Sequence, residues 1–188
     1  MIGEPRREVT DIPGVRRLKL NAYADPRGVF SPAWVRADLL AAGLDAEVAQ
    51  INLVTNPAAG TLRGLHFQAA PHSEVKILQV LSGAIFDVVV DLRQESPSFQ
   101  AAIGVFLDAE NREALYLPKG VAHGYQTLLP DTTVLYMVSS PYAPAHQGGV
   151  RWDDSALAIP WPLQPTLMSE RDMGLPLLFQ IDSYPGDV

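Results

Sequence analysis

Residues 75–93 read VKILQVLSGAIFDVVVDLR, and the division of that run decides the fold. Ser82–Gly83 is a turn signal, and each side of it carries a run of strand length, rich in Val, Ile, Leu and Phe. The stretch predicts two strands joined at Ser82–Gly83. The second is almost continuously apolar, which in a strand means burial on both faces. Outward from it, from Val48 to Tyr142, the same pattern continues: short runs of Val, Ile, Leu, Phe and Tyr separated by NPAAG, APHSE, ESPS, DAEN, PKG and LLPDT. Such spacing predicts an antiparallel β-sandwich or barrel.

The flanks differ from this core. SPAWVRADLLAAG, at 31–43, predicts one short helix with Ser31 as its cap, Pro32 at its first position and Gly43 at its end. After Tyr142 the chain is proline-rich and apolar, so the tail is expected to pack on the barrel or on a second subunit. Ser169, in SERD, is placed to cap a short turn or helix. One domain over 1–188 is expected, with an N-terminal arm to about 47, a barrel over about 48–142 and a C-terminal tail.

Composition narrows the function. The 188 residues are 47% hydrophobic and 19% charged, with no cysteine and a formal net charge of −7. Disulfides, thiolate chemistry and cysteine-based zinc sites are excluded. An acidic chain argues against nucleic acid, and no apolar run is long enough for a membrane span. The N-terminus has charge and proline where a secretory signal would need an apolar core, so a cytoplasmic location is expected. An anionic small molecule remains open wherever basic side chains converge.

GTLRGLHFQ (60–68) and LPKGVAHGYQTL (117–128) resemble the paired motifs of the cupin fold, an all-β double-stranded β-helix or jelly roll. In metal cupins these motifs supply His-x-His, a Glu and a further His to one divalent ion. Here Gln68 stands where the second histidine would be, and Lys76 puts a cation where a metal site wants an anion. The barrel is therefore expected to be cupin-like with no metal and with a few short peripheral helices. Its basic set of Arg63, His66, Lys76 and His123 suits an anionic organic ligand.

From about Asp25 to about Asp172 the chain resembles the dTDP-4-dehydrorhamnose 3,5-epimerase family. DPRGVF, QIN, GTLRGLHFQ, EVKILQVLSGAIFDVVVDLRQESPSF, LYLPKGVAHGYQTL, VLYMVSSPYAP, GVRWDDSALAIPWPL and SERD occur in the family's order. The resemblance implies a jelly-roll homodimer without a cofactor, acting on a dTDP-linked 4-keto-6-deoxyhexose. It also implies residue roles. His66 is the base, Asp172 its carboxylate partner, Tyr136 the acid and Lys76 the stabiliser of the C4 oxygen. Arg27, Arg63 and Arg171 contact diphosphate or sugar, Gln50, Asn52 and His123 line the pocket, and Tyr142 stacks on the base. Pro32 and Gln147 depart from the family pattern, standing where glutamate is frequent.

The chemistry explains why such residues belong together. A ketone at C4 acidifies the hydrogens at C3 and C5, because the carbanion delocalises onto oxygen, and no redox cofactor is needed. Inversion removes a proton from one face and delivers one to the other, so a base and an acid must flank the ring. Each residue also has a plainer reading. His66 and Tyr136 could be core, Asp172 could begin a surface helix, Lys76 could reach to solvent, and His123 could stabilise its turn. His72 and His146, in polar loops, read as exposed. Epimerisation at C3 alone, a non-catalytic anion-binding cupin and a metal cupin dioxygenase are the competing functions.

Overall fold

The structure is a computed structural model that describes residues 11–181. In chain order, β1 (Arg16–Lys19) is followed by a hairpin of β2 (Tyr23–Asp25) and β3 (Gly28–Phe30), then by helix α1 (Arg36–Ala41). The barrel strands are β4 (Gln50–Asn56), β5 (Leu62–Gln68), β6 (Lys76–Ser82), β7 (Ala84–Asp91), β8 (Ala102–Asp108), β9 (Glu113–Leu117), β10 (Val121–Thr127) and β11 (Thr132–Val138). The tail adds β12 (Gln147–Gly149) and helix α2 (Glu170–Met173). These strands form two five-stranded antiparallel sheets, β1-β9-β6-β11-β4 and β12-β5-β10-β7-β8, and the hairpin stands apart. The architecture is the cupin jelly roll.

The 75–93 run forms both expected strands, but they belong to different sheets. The chain turns a corner at Ser82–Gly83. Gly83 has φ +77°, and a Cβ there would fall 2.2 Å from Thr132 Oγ1, so the corner needs glycine for both its backbone angle and its closeness to β11. Beyond the corner β7 is buried along nearly its whole length. Its alternate residues feed two cores. Ile85 and Val89 point between the sheets with Leu78, Leu115 and Val134. Phe86, Val88 and Val90 point outward, where Val150, Leu157 and Leu178 of the tail cover them. The tail thus packs on the barrel, as its apolar composition requires.

A third cluster lies on the outer face of the first sheet, where Leu39 and Ala46 cover Leu18, Ile77, Ala114 and Met137. Here the expected helix is shorter than 31–43. It begins at Arg36 after the extended Val35 and has no side-chain cap. Ser31 Oγ instead donates to Asn21 O at 2.6 Å. The carbonyl of Ala33 accepts from the buried Gln79 side chain, and Trp34 packs against the third cluster, so residues 31–35 are held as a loop. The end falls where Gly43 places it, with Leu44 N donating to Leu39 O at 3.0 Å. Among the described residues no helix is long and apolar enough to cross a membrane.

Candidate active site

Strand alternation builds one wall of a pocket between the sheets. On β4, Gln50, Asn52 and Val54 face inward while Ile51, Leu53 and Thr55 face out. Asn52 pairs with Tyr136 and Gln50 with Val138 on β11, and Val138 pairs in turn with Lys76 on β6. Directly paired residues share a face, and so do residues two apart. Gln50, Asn52, Lys76 and Tyr136 therefore form one continuous patch.

The facing wall comes from β5 and β10, and it needs an irregularity. Arg63 and His66 are three apart and would point to opposite faces of a regular strand. Against β10, however, His66 pairs with His123 and Arg63 with Tyr125, so three steps on β5 match two on β10. The extra residue makes a bulge at Gly64, as glycine between them predicts. Gly64 has φ +115°, and a Cβ there would lie 2.6 Å from Gly124 Cα and 2.8 Å from His123 O. With the bulge in place, Arg63 and His66 line the same pocket.

The tail contributes the third side. Ser169 Oγ accepts from Asp172 N at 3.1 Å, capping α2 as expected. This turns the buried Asp172 toward β5, where its Oδ1 lies 2.7 Å from His66 Nε2 and its Oδ2 accepts from Gly64 N at 3.2 Å. Burial raises the Asp172 carboxyl, but the hydrogen bond and charge of His66, with the Gly64 amide and Ser169, bring it below its usual value. A carboxylate only accepts, so Nε2 carries the proton and neutral His66 keeps a lone pair on Nδ1.

A second His–Asp pair lies deeper: His123 Nε2 is 2.7 Å from Asp87 Oδ2, and Asp87 is fully buried. Burial pushes the Asp87 carboxyl up, against the opposing charges of His123 and Lys76. Burial also raises Tyr136, with the charge of Glu74 acting in the same direction and Arg63 against it. Tyr125 is pushed up to about 12, mainly by burial.

The cavity enclosed by these walls measures about 370 Å³, the scale of a small-ligand site. It brings together His66, Tyr136, Asp172, Lys76, Gln50, Asn52, Arg63, His123, Tyr142 and Arg171. Tyr142 sits at the mouth, more than half exposed. Arg27 is the exception: it does not line the cavity of its own chain. It lies on the β2–β3 hairpin, its side chain is 90% exposed, and it pairs with Asp25 at 2.6 Å instead of lining the pocket.

The strongest evidence of kinship is overall. The family model for dTDP-4-dehydrorhamnose 3,5-epimerase matches residues 9–180. The chain belongs to the dTDP-4-dehydrorhamnose 3,5-epimerase family. A relative of that name from Sinorhizobium fredii is 37% identical over 172 residues, covering 89% of this chain and 86% of its own. A dTDP-4-dehydrorhamnose 3-epimerase from Streptomyces niveus is 40% identical over 169 residues, covering 89% and 81%. The crystal structure of dTDP-4-dehydrorhamnose 3,5-epimerase from Bacillus anthracis, with TDP and PPi bound, superposes with a TM-score of 0.87 at 42% identity, covering 90% of this chain and 97% of that one.

Within this epimerase-family pocket, several residues escaped the sequence reading. Glu74 lines it two positions before Lys76, a spacing that puts both on one face of a strand entrance. Asp87, the lone acid in AIFDVVV, is the kind of buried charge that needs a partner, and His123 supplies it. Tyr125 follows His123 by two and also lines the cavity. Of the two departures from the family pattern, Gln147 lines the pocket with a buried Oε1 that has no hydrogen-bond partner among the described residues. Pro32 does not line it. His72 and His146, expected to be exposed, are partly buried, with rings 4.6 Å apart. No group of three or more His, Asp or Glu among the described residues is placed to hold a metal ion.

Proposed function

We propose that this chain is an isomerase that epimerises C3 and C5 of a dTDP-linked 4-keto-6-deoxyhexose. One observation carries the reading: the His66–Asp172 pair and the Tyr136 phenol stand on opposite walls of one cavity, β5 in one sheet and β11 in the other. Facing sheets are separated by about 10 Å, room for a sugar ring between base and acid.

In this reading Asp172 orients the His66 ring and stabilises the imidazolium once the proton has moved. His66 takes the proton next to the ketone, and the electron pair passes to the C4 oxygen. Lys76, whose Nζ reaches across to donate to His66 O at 3.3 Å, places a positive charge beside that developing enolate. Tyr136 returns a proton from the opposite face; the imidazolium then gives its proton to solvent and the phenolate takes one from it, and repeating the cycle at the second carbon completes double epimerisation. Arg63 and Arg171 hold diphosphate oxygens and thereby fix the reacting carbons. Gln50, Asn52 and His123 contact the sugar, and Tyr142 stacks on the nucleobase at the mouth. No metal or organic cofactor has a part in these steps.

The same proposal includes a homodimer. Residues 22–30 of the hairpin are all exposed, among them Tyr23, Val29 and Phe30, and the outer face of edge strand β4 shows Ile51 at 60% and Leu53 at 65%. An isolated hairpin is marginal in water, and apolar patches of this kind mark interaction surfaces. We place the hairpin on a second copy, where Arg27 reaches that copy's pocket. One domain of arm, barrel and tail, located in the cytoplasm, belongs to this reading.

The test is solvent deuterium incorporation into dTDP-4-keto-6-deoxyglucose, followed by NMR. Label at both carbons is expected. Label at C3 alone would establish the 3-epimerase alternative, which the 40% identity to the Streptomyces niveus enzyme supports. Label at neither carbon, or undiminished exchange in His66→Ala, overturns the catalytic reading.

A further inference from the structure

Glu74 is an acid in a pocket built to receive an anion, and the steps above give it no task. It sits on the loop between β5 and β6 with its side chain 10% exposed, and its Oε1 lies 3.3 Å from Lys76 Nζ, itself only 12% exposed. Its Oε2 accepts from Gln68 Nε2 at 3.2 Å. Gln68 is 4% exposed and held in turn: the two Nε2 hydrogens are shared among Glu74 Oε2, His72 O and Pro141 O, and Oε1 accepts from Ala143 N at 2.7 Å. A swing of the Glu74 carboxylate away from this place breaks its contacts with Lys76 Nζ and Gln68 Nε2. Gln68, at the position where a cupin metal ligand is expected, serves instead as the clamp.

The clamped carboxylate faces two groups that act on substrate. Lys76 pairs across the sheet with Val138, so Tyr136, two residues away on the same strand, is its diagonal neighbour on the same face. The other charged or titratable groups turned toward this space are Arg63 and His66 on β5, His123 and Tyr125 on β10, and Tyr142 at the mouth. From β7 comes Asp87, and from α2 come Arg171 and Asp172. Asp172 and Asp87 are each engaged by a histidine at 2.7 Å. Glu74 is the pocket carboxylate engaged by Lys76.

We propose that Glu74 is a positioning residue: it anchors the Lys76 ammonium against the pocket wall and supplies the negative charge that sets the pH range in which Tyr136 can deliver a proton. Removing that charge while keeping the clamp leaves Lys76 with its hydrogen bond to His66 O but without its ion pair, and leaves the phenol facing a more positive pocket. Both effects favour the phenolate. This inference rests on the epimerase reading for its kinetic consequence, but not for its electrostatic one.

The experiment uses Glu74→Gln, which keeps an acceptor for Gln68 and removes the charge. Tyrosine labelled with ¹³C at Cζ reports ionisation by NMR in the full-length protein without substrate, and Tyr136→Phe assigns the signal. The midpoint of Tyr136 is expected to fall by about half a pH unit or more, and the alkaline limb of the deuterium-exchange rate should move the same way. Glu74→Asp, which retains the charge, should restore the midpoint while lowering kcat because the shorter side chain holds Lys76 less well. An unmoved or raised midpoint in Glu74→Gln overturns the inference. Glu74→Asn, with the same expected fall, replaces it if the glutamine variant does not fold. A parent enzyme that exchanges no label would defeat the epimerase reading alone, because the midpoint still decides the role of Glu74.

Discussion

Replacing Gly64 by alanine tests the join between fold and site. The added methyl would meet Gly124 Cα at 2.6 Å and His123 O at 2.8 Å, both backbone atoms of β10 that cannot rotate away. It would also force φ +115° on an L side chain. Strain of that kind costs about 1–3 kcal/mol, and forcing extra volume into a packed contact costs about 1–3 kcal/mol more. The expected total, about 2–6 kcal/mol, is a large share of the roughly 5–15 kcal/mol that holds a domain folded. At about 2–4 °C per kcal/mol for a chain of this size, the melting temperature should fall by about 4–24 °C. Because Gly64 N donates to Asp172 Oδ2, and the bulge aims both Arg63 and His66, exchange activity should fall further than the stability loss explains at temperatures where the variant is folded. Gly28→Ala is the control, with φ +134° but nothing within 4 Å of the added atom, so it carries strain without collision. Calorimetry of the two variants reads the difference. A Gly64→Ala protein that melts within 2 °C of the parent, or no lower than Gly28→Ala, would refute the account of the bulge.

Three further outcomes follow from the structure. Asp172→Asn keeps the shape of the His66 contact but removes the charge opposing the imidazolium, so kcat for label exchange should drop about 10²-fold or more with little change in melting temperature; near-parental kcat would contradict the pairing. Asp91 is buried and its carboxyl is lowered to about 2, burial being outweighed by hydrogen bonds from Arg93, Ser96 and Ser98. Its contribution is complete above the ordinary carboxylate value near 3.8 and fades as pH falls toward 2. The parent should therefore lose up to about 2 kcal/mol over that interval, which denaturation of Asp91→Asn should not show; parallel pH profiles would exclude it. Leu53→Glu, on the exposed face of β4, should convert a dimer to monomers in sedimentation velocity at micromolar concentration, and an unchanged sedimentation coefficient would move the interface elsewhere.

Much of this protein is local in its causes. Strand runs bounded by turn residues are set by neighbours along the chain, so the barrel strands, the doubly buried β7 and the capping of α2 by Ser169 all follow from residue order. The role of Gly64 follows too, since two polar groups three apart in an apolar strand require a break in alternation, and only glycine stands between them at a position free to supply it. Other features depend on which strands meet. Nothing in VKILQVLSGAIFDVVVDLR distinguishes a hairpin from a corner, because the choice rests on Thr132 and the sheet that β11 joins. The start of α1 was lost to Gln79 and Trp34, partners supplied by packing, not by the helix itself. Glu74 was hidden because a carboxylate beside a lysine on a loop is usually solvated, and the clamp by Gln68 and burial between two sheets change what it can do. Arg27 has the opposite history, a site residue by motif that the folded chain carries on an exposed arm. Hydrophobic alternation and turn chemistry act over a few residues and can be read directly, whereas the meeting of His66 with Asp172 spans 106 positions and is decided by how two sheets and a tail close on one another.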